Sequence, residues 1–313
     1  MYFLTGNQYN YYGIKYFHAH RIETDDSLFF AGELVPLSDL KVKEKIEKEL
    51  YLLTYYRNST RGLLRKMDYW LPQFEQTIKQ YNIPEDFKYL VVIESNLSNA
   101  VSDKAAVGFW QFQEATAIEN GLLVNDQIDQ RYDEQSSTVA ACKYLRKMYR
   151  KLGSWSSVAA SYNMGINGYI RQQKRQRKES YYSLKLNNET GRYLYKMIAL
   201  KIIDDNRKSY RFRHYYHSVK TPFEEVWIDS ALTDVASVAF NRGITLDSLQ
   251  EINPWLISSL VNQQTKKYRL LLPKVLLPKE EEPLAEKTKI KIDSLSKDSL
   301  VIVEDIDTLI TPK

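Results

Sequence analysis

The stretch EDFKYLVVIESNLSNAVSDKAAVGFWQFQEATA, residues 85–117, decides how this chain is read. Pro84 stands just ahead of it, and Glu85 and Asp86 follow, an arrangement suited to the first turn of a helix. Phe87, Leu90, Val91 and Glu94 then recur at three- and four-residue spacing and share one face. Glu94 therefore falls on the apolar stripe of a predicted helix, near its C-terminal end. Burial there raises a carboxyl pKa and keeps the proton on near neutral pH, which suits a general acid. A glutamate that reaches solvent at a helix end, or pairs with an arginine, competes with that reading, and periodicity alone favours the competitor. A polar loop of small residues runs on to Trp110, and WQFQEATAIENG predicts a return to helix that Gly121 ends.

Outward from this stretch, the helical period also covers residues 41–81, where Leu50, Leu53, Leu64, Met67 and Leu71 carry the stripe. Asp133 is the expected N-cap of the next long helix and Gly153 its left-handed end; Ser154 and Gly165 play the same parts around SWSSVAASYNMG. A basic loop, RQQKRQRKESYY at 171–182, leads to a last strong helix in NNETGRYLYKMIALKIIDD. Residues 41–206 read as an all-α domain with its core at about 82–206, after an irregular segment 1–40. Beyond residue 207, EEVWI and YRLLLP are strand-like and enclose two short helices, which predicts a small α+β module over 207–277. Residues 278–313 have the composition of a disordered tail.

Composition bounds the function classes. The 313 residues are 43% hydrophobic and 27% charged, ordinary for a soluble globular protein with room for more than one domain. A net charge of +5 favours anionic partners without marking a nucleic-acid binder. Cys142 is the only cysteine, so neither an intramolecular disulfide nor a thiolate cluster forms. His18-x-His20 and His214-x-x-His217 are the histidine pairs. The second has a spacing that metals use but no acidic or thiol partner accompanies it, so it reads as a surface pair, and no metal or cofactor is expected. No apolar run approaches the roughly 20 residues that cross a bilayer, and no export signal is visible at the N-terminus.

Further motifs reverse the odds on Glu94. The segment from Glu94 to Ala117 combines Glu-Ser, a polar loop ending in serine, and Gly-x-x-Gln opening a helix. AASYNMG (159–165) and NNETGRYLYK (187–196) follow in order. Together they resemble the signature of the lytic transglycosylase family, over roughly residues 41–273. The resemblance implies a lysozyme-like helical catalytic domain acting on peptidoglycan glycan strands. It makes Glu94 the single catalytic acid and base, and gives Ser102, Gln111, Tyr162, Asn163 and Glu189 to substrate binding. It implies cleavage between N-acetylmuramic acid and N-acetylglucosamine with closure of a 1,6-anhydro ring, the substrate's N-acetyl group replacing a second carboxylate. It also implies a LysM-like module at 224–273, a monomer, and a place in the periplasm or cell envelope. Gln113, Glu114, Met164, Ile166 and Asn167 depart from residues common in the family, none at a proposed catalytic position. A hydrolase of the goose-type lysozyme kind and a non-catalytic glycan-binding protein stay open as rivals, with a nucleic-acid-binding helical protein a more distant one.

Overall fold

The computed structural model describes residue 22 and residues 27–215, 223–228, 230–262 and 267–274. The expected tail at 278–313, and His18, His20 and His217, lie outside the described residues. Among the described residues the chain is mainly α, with two small two-stranded sheets.

Among the described residues, eight α-helices make the first part: α1 (Leu40–Tyr55), α2 (Arg57–Gln80), α3 (Lys88–Ser95), α4 (Glu114–Glu119), α5 (Glu134–Leu152), α6 (Trp155–Met164), α7 (Ile166–Gln176) and α8 (Thr190–Asp205). The predicted caps are in place: Asp133 accepts from Ser136 N–H, Ser154 accepts from Ser157 N–H, and Gly153 is left-handed. Helix α8 is apolar nearly all round, with Leu194, Met197, Ile198 and Ile203 buried, so it runs through the core. It packs against α1, α3 and α6, while α2 packs on α5. Lys201 bonds Asp86 at 3.0 Å and Tyr89 Oη donates to Asp204 at 2.9 Å, which sets the start of α3 beside the end of α8. The antiparallel course then carries the end of α3 to the first turns of α8.

Four local expectations are corrected. The run at 41–81 breaks at Tyr56 into two helices. Helix α4 begins at Glu114 and not at Trp110, because Val107 pairs with Phe112 and Gln111 holds a φ of 50° that a helix excludes. Much of the predicted basic loop is helical: α7 continues to Gln176, since Tyr169 and Ile166 give the segment an inner face despite its charges. Gly165 accordingly joins α6 to α7, with φ 78° and ψ 138°, instead of forming a left-handed end.

Inside the segment read as irregular, β1 (Phe29–Phe30) and β2 (Glu33–Leu34) pair antiparallel. The Glu33 carboxylate reaches the first turn of α6. It accepts from Trp155 N–H at 2.5 Å, Ser156 N–H at 2.9 Å and Ser156 Oγ at 2.7 Å. An acid on the unpaired N–H groups of a helix start is electrostatically favoured.

The second part has the predicted order: β3 (Phe223–Ile228), α9 (Val235–Phe240), α10 (Leu246–Ile252) and β4 (Tyr268–Pro273). The strands pair antiparallel with Trp227 opposite Arg269, and Asp234 and Thr245 cap the helices. Val235, Leu249, Trp255, Val261, Tyr268 and Leu270 form its core, joined by Leu123 and Ile128 from the loop between α4 and α5. The turn after α8 stays with the helical part instead. Arg207 bonds Asp68 and Asp204, and Tyr210 and Phe212 enter the first core.

Candidate active site

Glu94 lies in the last turn of α3, half-buried. Asn96 and Leu97, at φ 55° and 51°, turn the chain out of the helix, and Lys66 Nζ donates to Asn96 O at 3.0 Å. The Tyr193 hydroxyl, from the first turns of α8, donates to Glu94 Oε1. Burial pushes the Glu94 carboxyl up to about 7; the Tyr193 bond pulls against the rise, Glu189 adds to it and Lys196 opposes it. Tyr193 is itself pushed well above its ordinary value, by burial first and then by Glu94, so it remains a donor.

Tyr162 lies within reach of the Glu94 charge, and burial first, then that charge, pushes its hydroxyl far up. Its hydrogen, however, goes to Trp110 O at 2.8 Å. Trp110 is fully buried and donates from Nε1 to Thr138 Oγ1 at 2.9 Å, so Tyr162 fixes the end of the polar loop onto α6.

The loop that follows Glu94 is held by its own backbone. Ser102 N–H donates to Ala106 O at 2.8 Å, while Ser102 Oγ accepts from Ala106 N–H at 3.0 Å. Gln111 Nε2 donates to Ala100 O at 3.0 Å and Gly108 O at 2.8 Å. With both amide hydrogens committed, Oε1 is the pole that Gln111 can offer a ligand. At Gly108, φ is 82° and an added Cβ would stand 1.9 Å from Arg131 O, so only glycine fits.

Asn163 and Glu189 meet at the start of α8. Asn163 Nδ2 donates to Glu189 Oε1 at 2.9 Å, and Asn163 Oδ1 accepts from Thr190 Oγ1 at 2.7 Å. Arg192, three residues on, turns away to Glu49, with bonds of 2.6 and 2.9 Å. The structure thus joins Glu94 to Tyr193 directly, sets Tyr162 and the linked pair Asn163–Glu189 within reach of its charge, and leaves Ser102 and Gln111 in the loop. Among the described residues, neither of these last two bonds Glu94. Tyr193 was not singled out from the sequence, although it ends the Glu-Thr-x-x-Tyr run at 189–193. Among the described residues no three His, Cys, Asp or Glu side chains converge as a metal site.

The comparisons with known proteins match both the helical part and the small α+β module. Residues 72–185 match the transglycosylase SLT domain, and residues 224–275 match the soluble lytic transglycosylase C-terminal LysM-like domain. Over those residues the chain carries a transglycosylase SLT domain followed by a LysM-like domain. It is similar to the membrane-bound lytic murein transglycosylases D of Escherichia coli strains K12 and CFT073, at 28% identity over 266 residues. That alignment covers 82% of this chain but only 57% of each relative. No described helix is long and apolar enough to cross a membrane.

Proposed function

We propose that the chain is a peptidoglycan lytic transglycosylase of the cell envelope, with Glu94 acting first as acid and then as base. The observation that carries this reading is the position of Glu94: on the buried side of a helix end, its carboxyl pushed up to about 7 and oriented by Tyr193. A carboxyl poised there is substantially protonated at neutral pH yet can take the proton back.

In the first step Glu94 gives its proton to the glycosidic oxygen between N-acetylmuramic acid and N-acetylglucosamine. The bond from that oxygen to the muramoyl C1 breaks, and the muramoyl N-acetyl oxygen closes on C1 as an oxazolinium. In the second step the Glu94 carboxylate takes the proton from the C6 hydroxyl. O6 attacks C1, the oxazolinium opens, and a 1,6-anhydro ring forms with Glu94 protonated again. Water is not consumed. Tyr193 and Tyr162 keep the acid and the adjoining loop end in attack geometry. Gln111 Oε1 and Ser102 Oγ face the acetamido group, and Asn163 holds Glu189 toward the sugar.

Mass spectrometry of digested sacculi tests the reaction. Anhydro-muramoyl ends are expected; reducing ends alone would make the protein a hydrolase on the same helices, and intact sacculi would make it a binding protein.

Two substitutions should move the pH profile in opposite directions. The acid step needs neutral Glu94, so kcat/KM falls as pH rises through about 7. Tyr193→Phe removes a donor that favours the carboxylate, so the alkaline limb moves up in pH. Glu189→Gln removes a neighbouring negative charge, so the limb moves down. Limbs that stay fixed, or that shift the same way, would remove Glu94 as the titrating acid.

A further inference from the structure

The loop between α4 and α5 is held from two sides. On its outer side, Leu123 and Ile128 are buried in the core of the LysM-like module. Asp129 N–H donates to Trp255 O at 2.8 Å, and Gln127 O and Oε1 accept from Ile257 N–H at 3.0 Å and Asn262 N–H at 2.8 Å. Trp255 is 2% exposed, so this tryptophan is a structural part of the joint and not a platform for a sugar. Arg269, on β4, sends Nη2 to Asp133 Oδ2 at 2.8 Å and to Glu134 Oε2 at 3.2 Å. Asp133 is the N-cap of α5, so one carboxylate serves the helix start with Oδ1 and the module with Oδ2. Both members of this pair are about 95% buried, with exposures of 4% and 5%.

On its inner side the same loop carries the polar loop that follows Glu94. Asn99 Nδ2 donates to Tyr132 O at 2.9 Å. Gly108 lies directly against Arg131 O, and the Arg131 guanidinium is forked onto Asp129 at 2.9 and 2.7 Å. Asn99 and Gly108 flank Ala100, whose carbonyl receives both Gly108 N–H and Gln111 Nε2. Module, connecting loop and polar loop are therefore stacked in three contiguous layers.

We infer that the LysM-like module is a positioning element for the polar loop at 96–113, and that Arg269 is its positioning residue. What the loop positions rests on the lytic reading above; the mechanical coupling does not. Sequence offers a separate glycan-binding appendage as the alternative. That alternative places no demand on residues 129–133, whereas here those residues bond or touch both sides.

The test uses the full chain with Arg269→Met, of similar length but unable to bond carboxylates, and Arg269→Lys, which keeps one charge without the fork. Amide exchange is followed at Gly108 and Phe112 in the loop, with α8 as internal reference. Turnover is measured on a short soluble glycan. In Arg269→Met, loop exchange is expected to rise about tenfold while α8 is unchanged, and kcat to fall about tenfold at nearly constant KM. Arg269→Lys should fall between, and it carries the test alone if the methionine variant does not fold. Faster exchange confined to the module, or an unchanged kcat with a protected loop, overturns the inference. Should the unsubstituted protein release nothing from glycan, the lytic reading fails, and the exchange comparison still decides the coupling.

Discussion

Glu94→Gln is expected to lower release of anhydro-muramoyl product by about 10³-fold or more, since the amide has no proton to give and no carboxylate to take one back. Wall binding should persist, because nothing in the loop or the module depends on the Glu94 charge. A second readout guards against simple unfolding. The folded-state pKa of Glu94 is raised from the 4.5 of an ordinary glutamate to about 7, so the folded protein holds this proton more tightly than the unfolded chain. The stability that gives is fully present below about pH 4.5 and is lost as pH rises through about 7. Glutamine is uncharged at every pH and escapes that loss. Relative to the unsubstituted protein, Glu94→Gln should gain stability on going from pH 4 to pH 8, by at most about 3 kcal/mol. Denaturant titrations at the two pH values measure this. An inactive variant with that gain identifies a chemically essential but destabilising group, whereas undiminished turnover would take Glu94 out of the reaction.

Gly108→Ala is the most damaging single methyl expected in the helical part. Its Cβ would lie 1.9 Å from Arg131 O and 2.8 Å from Arg131 C, at a φ of 82° that alanine adopts only under strain. The carbonyl has little freedom to retreat, because Arg131 N–H and side chain are both bound to Asp129. Left-handed strain accounts for about 1–2 kcal/mol. Displacing fixed backbone adds at least as much, so a loss above about 3 kcal/mol in urea unfolding is expected, together with most of the activity. Gly62→Ala is the control: it sits exposed in α2 with nothing within 4 Å, and should be neutral or stabilising by up to about 1 kcal/mol. Similar losses from the two substitutions would contradict the tight approach at Gly108.

Most helices were legible because each carries its own apolar stripe and its own ends, as with Asp133 and Gly153 around α5. Helix α7 was obscured by composition: only Tyr169 is fully buried in it, and five arginine and lysine residues in the run at 171–178 look like a solvated loop. The late start of α4 was hidden too, since backbone pairing of Val107 with Phe112 leaves no periodic trace. In the candidate site, Glu94 stood out because helical spacing put it on an apolar face. Tyr193 did not, because its relation to Glu94 arises only when segments 99 residues apart are folded together. The same limit applies to Leu123 and Ile128: they read as loop residues of the helical part, and nothing local says their side chains enter the other core.

The Glu33 cap on α6 has a consequence for the order of assembly. During synthesis the β1–β2 hairpin emerges well before α6, and its carboxylate finds Trp155 N–H only across a separation of 122 residues. Ser154 caps Ser157 N–H locally, but the first two amides of α6 reach their carboxylate only through this contact of very long sequence range. Helix α6 carries both Tyr162 and Asn163. The segment preceding α1, remote in sequence from the candidate site, thus tethers the start of the helix that carries both residues.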